Sequence, residues 1–200
     1  LNKNCYVPIY VRPQNTVNHK YNYRFYSTDP TYLFQNPLAL KKNKDKNLWE
    51  LRSKHKNYMS IIYNSGVKSS RRERPDHIHI YIPIEKETGG SFTLTKNKIP
   101  YATRSIYKLY SERCESVVSY MNRQPYYNPV YETYQMKFLI NGGVQSIKNS
   151  SFIKSGQKDD VDNACLEMLK ITSDISIIIY REPFSFLHAF SYGISRAHKN

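Results

Sequence analysis

The stretch His77-Ile78-His79-Ile80-Tyr81-Ile82 alternates strictly. That period of two is the mark of a half-buried β-strand. Thr88-Gly89-Gly90 supplies a turn, and Ser91 to Thr95 alternates again, so the two runs predict a hairpin. Working outward, Pro100 opens a stretch from Tyr101 to Met121. Its apolar residues Ala102, Ile106, Leu109, Tyr110, Val117 and Tyr120 fall mostly at helical spacing. Pro125 and Pro129 end it. Tyr134 to Ile140 reads as a strand closed by Gly142-Gly143. Asp159 and Asp160 stand where acids favour a helix start, ahead of Val161, Ala164, Cys165, Met168 and Leu169. Ile175 to Tyr180 is a β-branched run of the kind buried on both faces of a parallel sheet. Strand, helix and strand in succession favour parallel pairing. The expectation is an α/β fold: a mixed β-sheet, with an antiparallel hairpin plus parallel strands, flanked by two helices.

Residues 1–75 differ. They carry Pro8, Pro13, Pro30 and Pro37, a lysine run at Lys41, Lys42, Lys44 and Lys46, and little sustained period. They read as an extended basic N-terminal arm with one short helix around Asn47–His55. Residues 76–200 read as the core, with an aromatic then basic tail from Arg181 onward.

Thirty Lys and Arg stand against 16 Asp and Glu, a formal charge of +14, and 19 residues are Tyr. So much like charge repels itself in a compact fold, and a polyanion is the simplest compensation. Tyrosine rings suit stacking on bases. Codon bias toward Lys, Asn and Tyr is the competing account, but it does not explain the arginines at Arg71, Arg72 and Arg74. Cys5, Cys114 and Cys165 are widely spaced, which argues against a zinc ribbon or disulfide framework and for a reducing compartment. No apolar run is long enough to span a bilayer as a helix. Leu1 to Tyr10 lacks a secretory pattern, and Pro8 and Pro13 would break an amphipathic transit helix.

Candidate chemistry is sparse. His77 and His79 share one face of their strand and could converge on an ion. The pair resembles the His-hydrophobic-His motif of rolling-circle nucleases, but no Tyr is followed by Lys at the fourth position, where those enzymes carry their nucleophile. The glycine pairs match no phosphate loop, and no nucleophile elbow is present. Asp159, Asp160 and Asp162 are accounted for by helix capping. The expectation is a protein that is not an enzyme, with no cofactor and no metal.

The order of elements resembles the eleventh protein of the ribosomal small subunit. The carrying pieces are DHIHIYIPIEKETGGSFTLTKN, the helix start at Pro100, Tyr101 and Ala102, YQMKFLINGG, DDVDNACLEMLKITSDISIIIYREP and the closing LHAFSYGISRAHK. The resemblance covers residues 76–199. It departs from that family in the nearly absent basic segment at Lys96–Lys98 and in an added loop at about 144–158. It implies a structural, rRNA-binding constituent of a mitochondrial ribosomal small subunit. Its partners would be small-subunit rRNA, neighbouring ribosomal proteins and messenger RNA near the exit side, with no membrane. Lys68, Arg71, Arg72, Arg74, Lys96, Lys98, Arg104, Lys148, Lys154, His188, Arg196 and Lys199 are the expected RNA contacts. The alternatives are a metal-dependent single-strand nuclease using His77 and His79, or a non-RNA subunit of an organellar complex.

Overall fold

Every strand pairing among the described residues is antiparallel. In the computed structural model these residues are 9–16, 19–27, 38–43, 47–53, 57–64, 68–69, 72–73, 77–83 and 105–198, the strands before residue 38 and those at 68–73 as backbone only. The strands are β1 (Ile9–Thr16), β2 (His19–Ser27), β3 (Leu38–Asn43), β4 (Leu48–Arg52), β5 (Asn57–Asn64), β6 (Lys68–Ser69), β7 (Arg72–Glu73), β8 (His77–Pro83), β9 (Val117–Asn122), β10 (Tyr126–Asn128), β11 (Thr133–Gln135), β12 (Ser150–Lys154), β13 (Leu166–Lys170) and β14 (Ser176–Tyr180). The helices are α1 (Ile106–Ser111) and α2 (Phe186–Ala197). Ten strands form one sheet in the order β1-β2-β3-β4-β5-β8-β9-β12-β13-β14. Two short hairpins, β6–β7 and β10–β11, stand apart from it.

The sheet curls around α2. Ser195 of the helix shares a 2.7 Å hydrogen bond with Tyr63 of β5. Tyr192 shares one of 2.6 Å with Ser150 of β12, and Gly193 lies against Ile178 of β14. β5 and β14 are five strand steps apart, roughly 24 Å across a flat sheet. A helix about 10 Å wide cannot touch both unless the sheet wraps it. The concave face supplies the core: Leu40, Trp49, Leu51, Met59, Ile61, Ile78, Ile80, Phe152 and Leu166 are buried around Ala189 and Tyr192. On the convex face, α1 covers a smaller cluster, with Ile106 and Leu109 on Leu48, Ile62, Tyr81 and Val117.

The expected mixed sheet with parallel strands and two flanking helices is therefore overturned. Residues expected to be an extended arm contribute β1 to β5 to the sheet. Asn47, expected to start a helix, sits at φ +48° and turns β3 into β4. Within the expected helix 101–121, the described residues form the six-residue α1 followed by β9, the chain reversing at Arg113 with φ +59°; residues 101–104 lie outside the described residues. The expected helix after Asp160 is a single 3-10 turn, Val161–Asn163, leading into β13. Ile175–Tyr180 does form a strand, but it is half-exposed, antiparallel to β13 and last in the sheet order. The second strand of the expected hairpin, 91–95, lies outside the described residues.

A reciprocal cap fixes the start of α2. Ser185 Oγ accepts from the His188 N–H, and His188 Nδ1 accepts from the Ser185 N–H. Ser185→Ala should lower stability by about 1 kcal/mol. Denaturant unfolding checks this, and an unchanged midpoint would remove the cap from the energetics of the helix.

Candidate functional site

Strand register gathers cations on the convex face of β1–β4. Directly opposed residues of antiparallel strands share a face. Arg12 opposes Arg24, Arg24 opposes Ala39, and Ala39 opposes Arg52. The neighbouring row on that face runs Gln14, Asn22, Lys41, Glu50, Ser60 and Tyr81. Two adjacent rows thus hold Arg12, Arg24, Lys41 and Arg52 against the single acid Glu50. The side chains of Lys41 and Arg52 are half-exposed, and diagonal neighbours of this kind lie within about 8 Å. Ala39 stands between Arg24 and Arg52 in the register.

α1 bounds the face on its β5 side, with the Tyr107 N–H on Ser60 Oγ at 3.4 Å. Tyr81 packs beneath it against Tyr107 and Tyr110, and burial pushes its phenol up to about 12. Glu50 Oε1 is buried with no hydrogen-bond partner among the described residues. Such a face can bind an anion carrying several charges: Arg forks match phosphate oxygens two at a time, and Lys adds a point charge.

A second construction occupies the convex face of β9, β12 and β13. The β10–β11 hairpin leaves the sheet after Arg123, and the chain returns across those strands. Buried Arg123 donates to Asp159 Oδ1 at 2.6 Å and to the Lys137 carbonyl at 2.8 Å. Glu167, fully buried, accepts the Leu139 N–H at 2.9 Å and the Ser151 hydroxyl at 2.8 Å. Further along, the Val144 N–H bonds the Lys170 carbonyl. Gln145 Nε2 donates to Thr133 Oγ1 at 2.8 Å, tying the return loop to the hairpin.

The residues expected to bind RNA scatter. Lys68 and Arg72 fall in the β6–β7 hairpin. Arg71, Arg74, Lys96, Lys98, Arg104 and Lys199 lie outside the described residues. Lys154 is exposed at the end of β12, and Lys148 Nζ donates to the Ala197 carbonyl at the end of α2. Arg196 is buried; its guanidinium donates to the carbonyls of Ile147 and Lys148 and lies over the Tyr63 ring. His188 sits in α2, where burial pushes its imidazole down to about 4 and leaves it neutral at pH 7. His77 and His79 do share a strand face; burial and the neighbouring His77 lower the His79 pKa. Among the described residues no group of three His, Cys, Asp or Glu could hold a metal.

Sequence reasoning missed Arg12, Arg24 and Arg52 as a group because only the register of four strands brings them together. The available signal was the alternation of Asn22 and Arg24 and of Glu50 and Arg52, which the proline content of residues 1–75 obscured.

No curated protein matches the chain. The sequence model of the Tub family matches residues 11–199, from β1 through α2. That match overturns the resemblance to the ribosomal protein, and with it the role in a mitochondrial small subunit and the rRNA and ribosomal-protein partners. It fits neither the nuclease nor the non-RNA organellar subunit. A match spanning nearly the whole chain, over a sheet curled on a C-terminal helix, shows that the chain belongs to the Tub family.

Proposed function

We propose that the protein is a non-enzymatic module that binds phosphoinositide headgroups at an anionic membrane surface, through the convex face of β1–β4. Proteins of the Tub family bind phosphoinositides, and the observation that carries the reading here is the register of Arg12, Arg24, Ala39 and Arg52 beside Lys41. A phosphorylated inositol presents several negative charges within a few ångströms. The register sets basic residues of four neighbouring strands in two adjacent rows, with backbone pairing already formed before any ligand arrives. The formal +14 then acts as a long-range attraction to the surface.

Lys41→Gln with Arg52→Gln should weaken binding to phosphatidylcholine vesicles containing phosphatidylinositol bisphosphate. Each cation contributes about 1 kcal/mol near such a surface, so the pair should cost roughly 30-fold. Both side chains are half-exposed, so the unfolding midpoint should stay in place. Co-sedimentation with vesicles measures the effect. Unchanged binding would remove this face from the headgroup site.

A further inference from the structure

The outer loops of the β10–β11 side carry apolar residues that the fold leaves bare. Val130 is 81% exposed and Tyr131 71%, both at the tip of the hairpin, and Tyr126 is 56% exposed at its base. Ile147, in the return loop, is 87% exposed. These are tips, not the floor of a groove. The tip turns through Glu132 at φ +49°, with the Val130 N–H held by Asn128 Oδ1. Beneath it, Tyr127 and Tyr134 stack edge to face at 5.4 Å.

The mounting is stiff. Arg123 and Glu167, both buried, pin the strand of chain that leads away from the hairpin. The Gln145–Thr133 bond joins the Ile147 loop to the hairpin, and Arg196 grips the Ile147 and Lys148 carbonyls from α2. Buried Arg123 and Glu167 thus fix the backbone at Lys137 and Leu139, just beyond the hairpin that carries the exposed tip.

We infer that the hairpin tip Val130–Tyr131 and the Ile147 loop insert into the headgroup and upper acyl region of a lipid bilayer. The inference rests on the membrane-surface reading above. Small aliphatic side chains and tyrosines are the residues that partition at that depth, an apolar body inward and a hydroxyl among headgroups. Exposed Lys137 follows the hairpin, in position to meet lipid phosphates as the tip enters. Its charge matches an anionic bilayer, and projecting loops suit a deformable surface better than a complementary protein face.

Tyr131→Trp provides the reporter, because the one natural tryptophan, Trp49, is 1% exposed in the core. On phosphatidylcholine vesicles with phosphatidylinositol bisphosphate, its added emission should move to shorter wavelength and be quenched by brominated acyl chains. Val130→Asp with Ile147→Asp should weaken vesicle binding by roughly tenfold or more at an unchanged unfolding midpoint. Binding at the wild-type level with unmoved, unquenched emission from the introduced indole would overturn the insertion and leave the headgroup reading standing. So would a double-Asp protein that binds like the wild type. Quenching that survives in plain anionic vesicles and in the Lys41→Gln, Arg52→Gln protein would keep the insertion and sink the headgroup site. Absence of binding to either vesicle would overturn both. Dimers in lipid-free solution that the double-Asp change dissociates would overturn the insertion in favour of a contact between copies.

Discussion

Tyr192→Ala should destabilise the fold by about 3–5 kcal/mol, near the cost of the largest aromatic truncations in protein cores. Tyr192 has no exposed surface and sits where α2 meets the concave face. Its ring packs edge to face on Phe152 at 4.9 Å, and its hydroxyl shares a 2.6 Å hydrogen bond with buried Ser150. Truncation leaves a cavity walled by β-strands that cannot close on it, because their spacing is fixed by backbone pairing. It also strands the Ser150 hydroxyl. Tyr192→Phe separates the two losses: the ring stays, and only the hydrogen bond goes, at about 1–2 kcal/mol. Against a typical total of about 5–15 kcal/mol, the Ala variant should lose a large share of the fold's stability. Denaturant unfolding of both variants decides the matter. Equal losses for Phe and Ala would show that the hydroxyl, not the ring, secures the helix.

Acid should weaken the protein through His188. Burial pushes this imidazole down to about 4, against 6.5 in an unfolded chain; its bond to the Tyr58 backbone opposes the shift but does not cancel it. Below pH 6.5 the unfolded chain takes up a proton that the folded chain excludes. Stability is therefore intact above pH about 6.5, falls as pH drops toward about 4, and levels off below that, where both states are protonated. The gap corresponds to about 3 kcal/mol. His188→Gln removes the titrating group and keeps an acceptor for the Ser185 N–H. Between pH 7 and pH 4, the wild type should lose about 3 kcal/mol more than this variant. The comparison isolates His188 from His79 and His198, whose pKa values are lowered too and which are present in both proteins. Parallel stability curves would show that His188 protonates without cost.

The strands at His77–Pro83 and Ser176–Tyr180 were legible in the sequence because their period or β-branching is local. What surrounds each strand was not. Ile177–Ile179 look like a run buried on both faces, yet β14 is the last strand of the sheet, and only Ile178 turns inward to α2. Val117, Val118 and Tyr120 continue the helical spacing of Ile106 and Leu109 by coincidence. The reversal that separates them falls on Arg113 in the left-handed region, with no glycine to mark it. The least legible element was α2. Its apolar residues Phe186, Ala189, Phe190, Tyr192 and Ile194 follow helical spacing, and Ser185 stands at its cap. The cap's return partner is His188 where Glu or Gln is usual, and the aromatic content read as a tail. The basic face was hidden for a different reason: its residues are far apart in sequence and meet only through register.

Wrapping a sheet around a helix that comes late in the chain also orders events during synthesis. The ribosome releases the chain from its N-terminus, so β3 to β14 emerge before residues 186–197. Hairpins can zip as they appear, yet the concave surface of Trp49, Ile61, Ile80 and Phe152 has no plug until Ser195 arrives to meet Tyr63, 132 residues away. Long-range closure of that kind is slow. A nascent chain stalled before residue 186 exposes an apolar trough open to chaperones and to self-association, so the last dozen residues of the described fold determine when the molecule becomes safe to release.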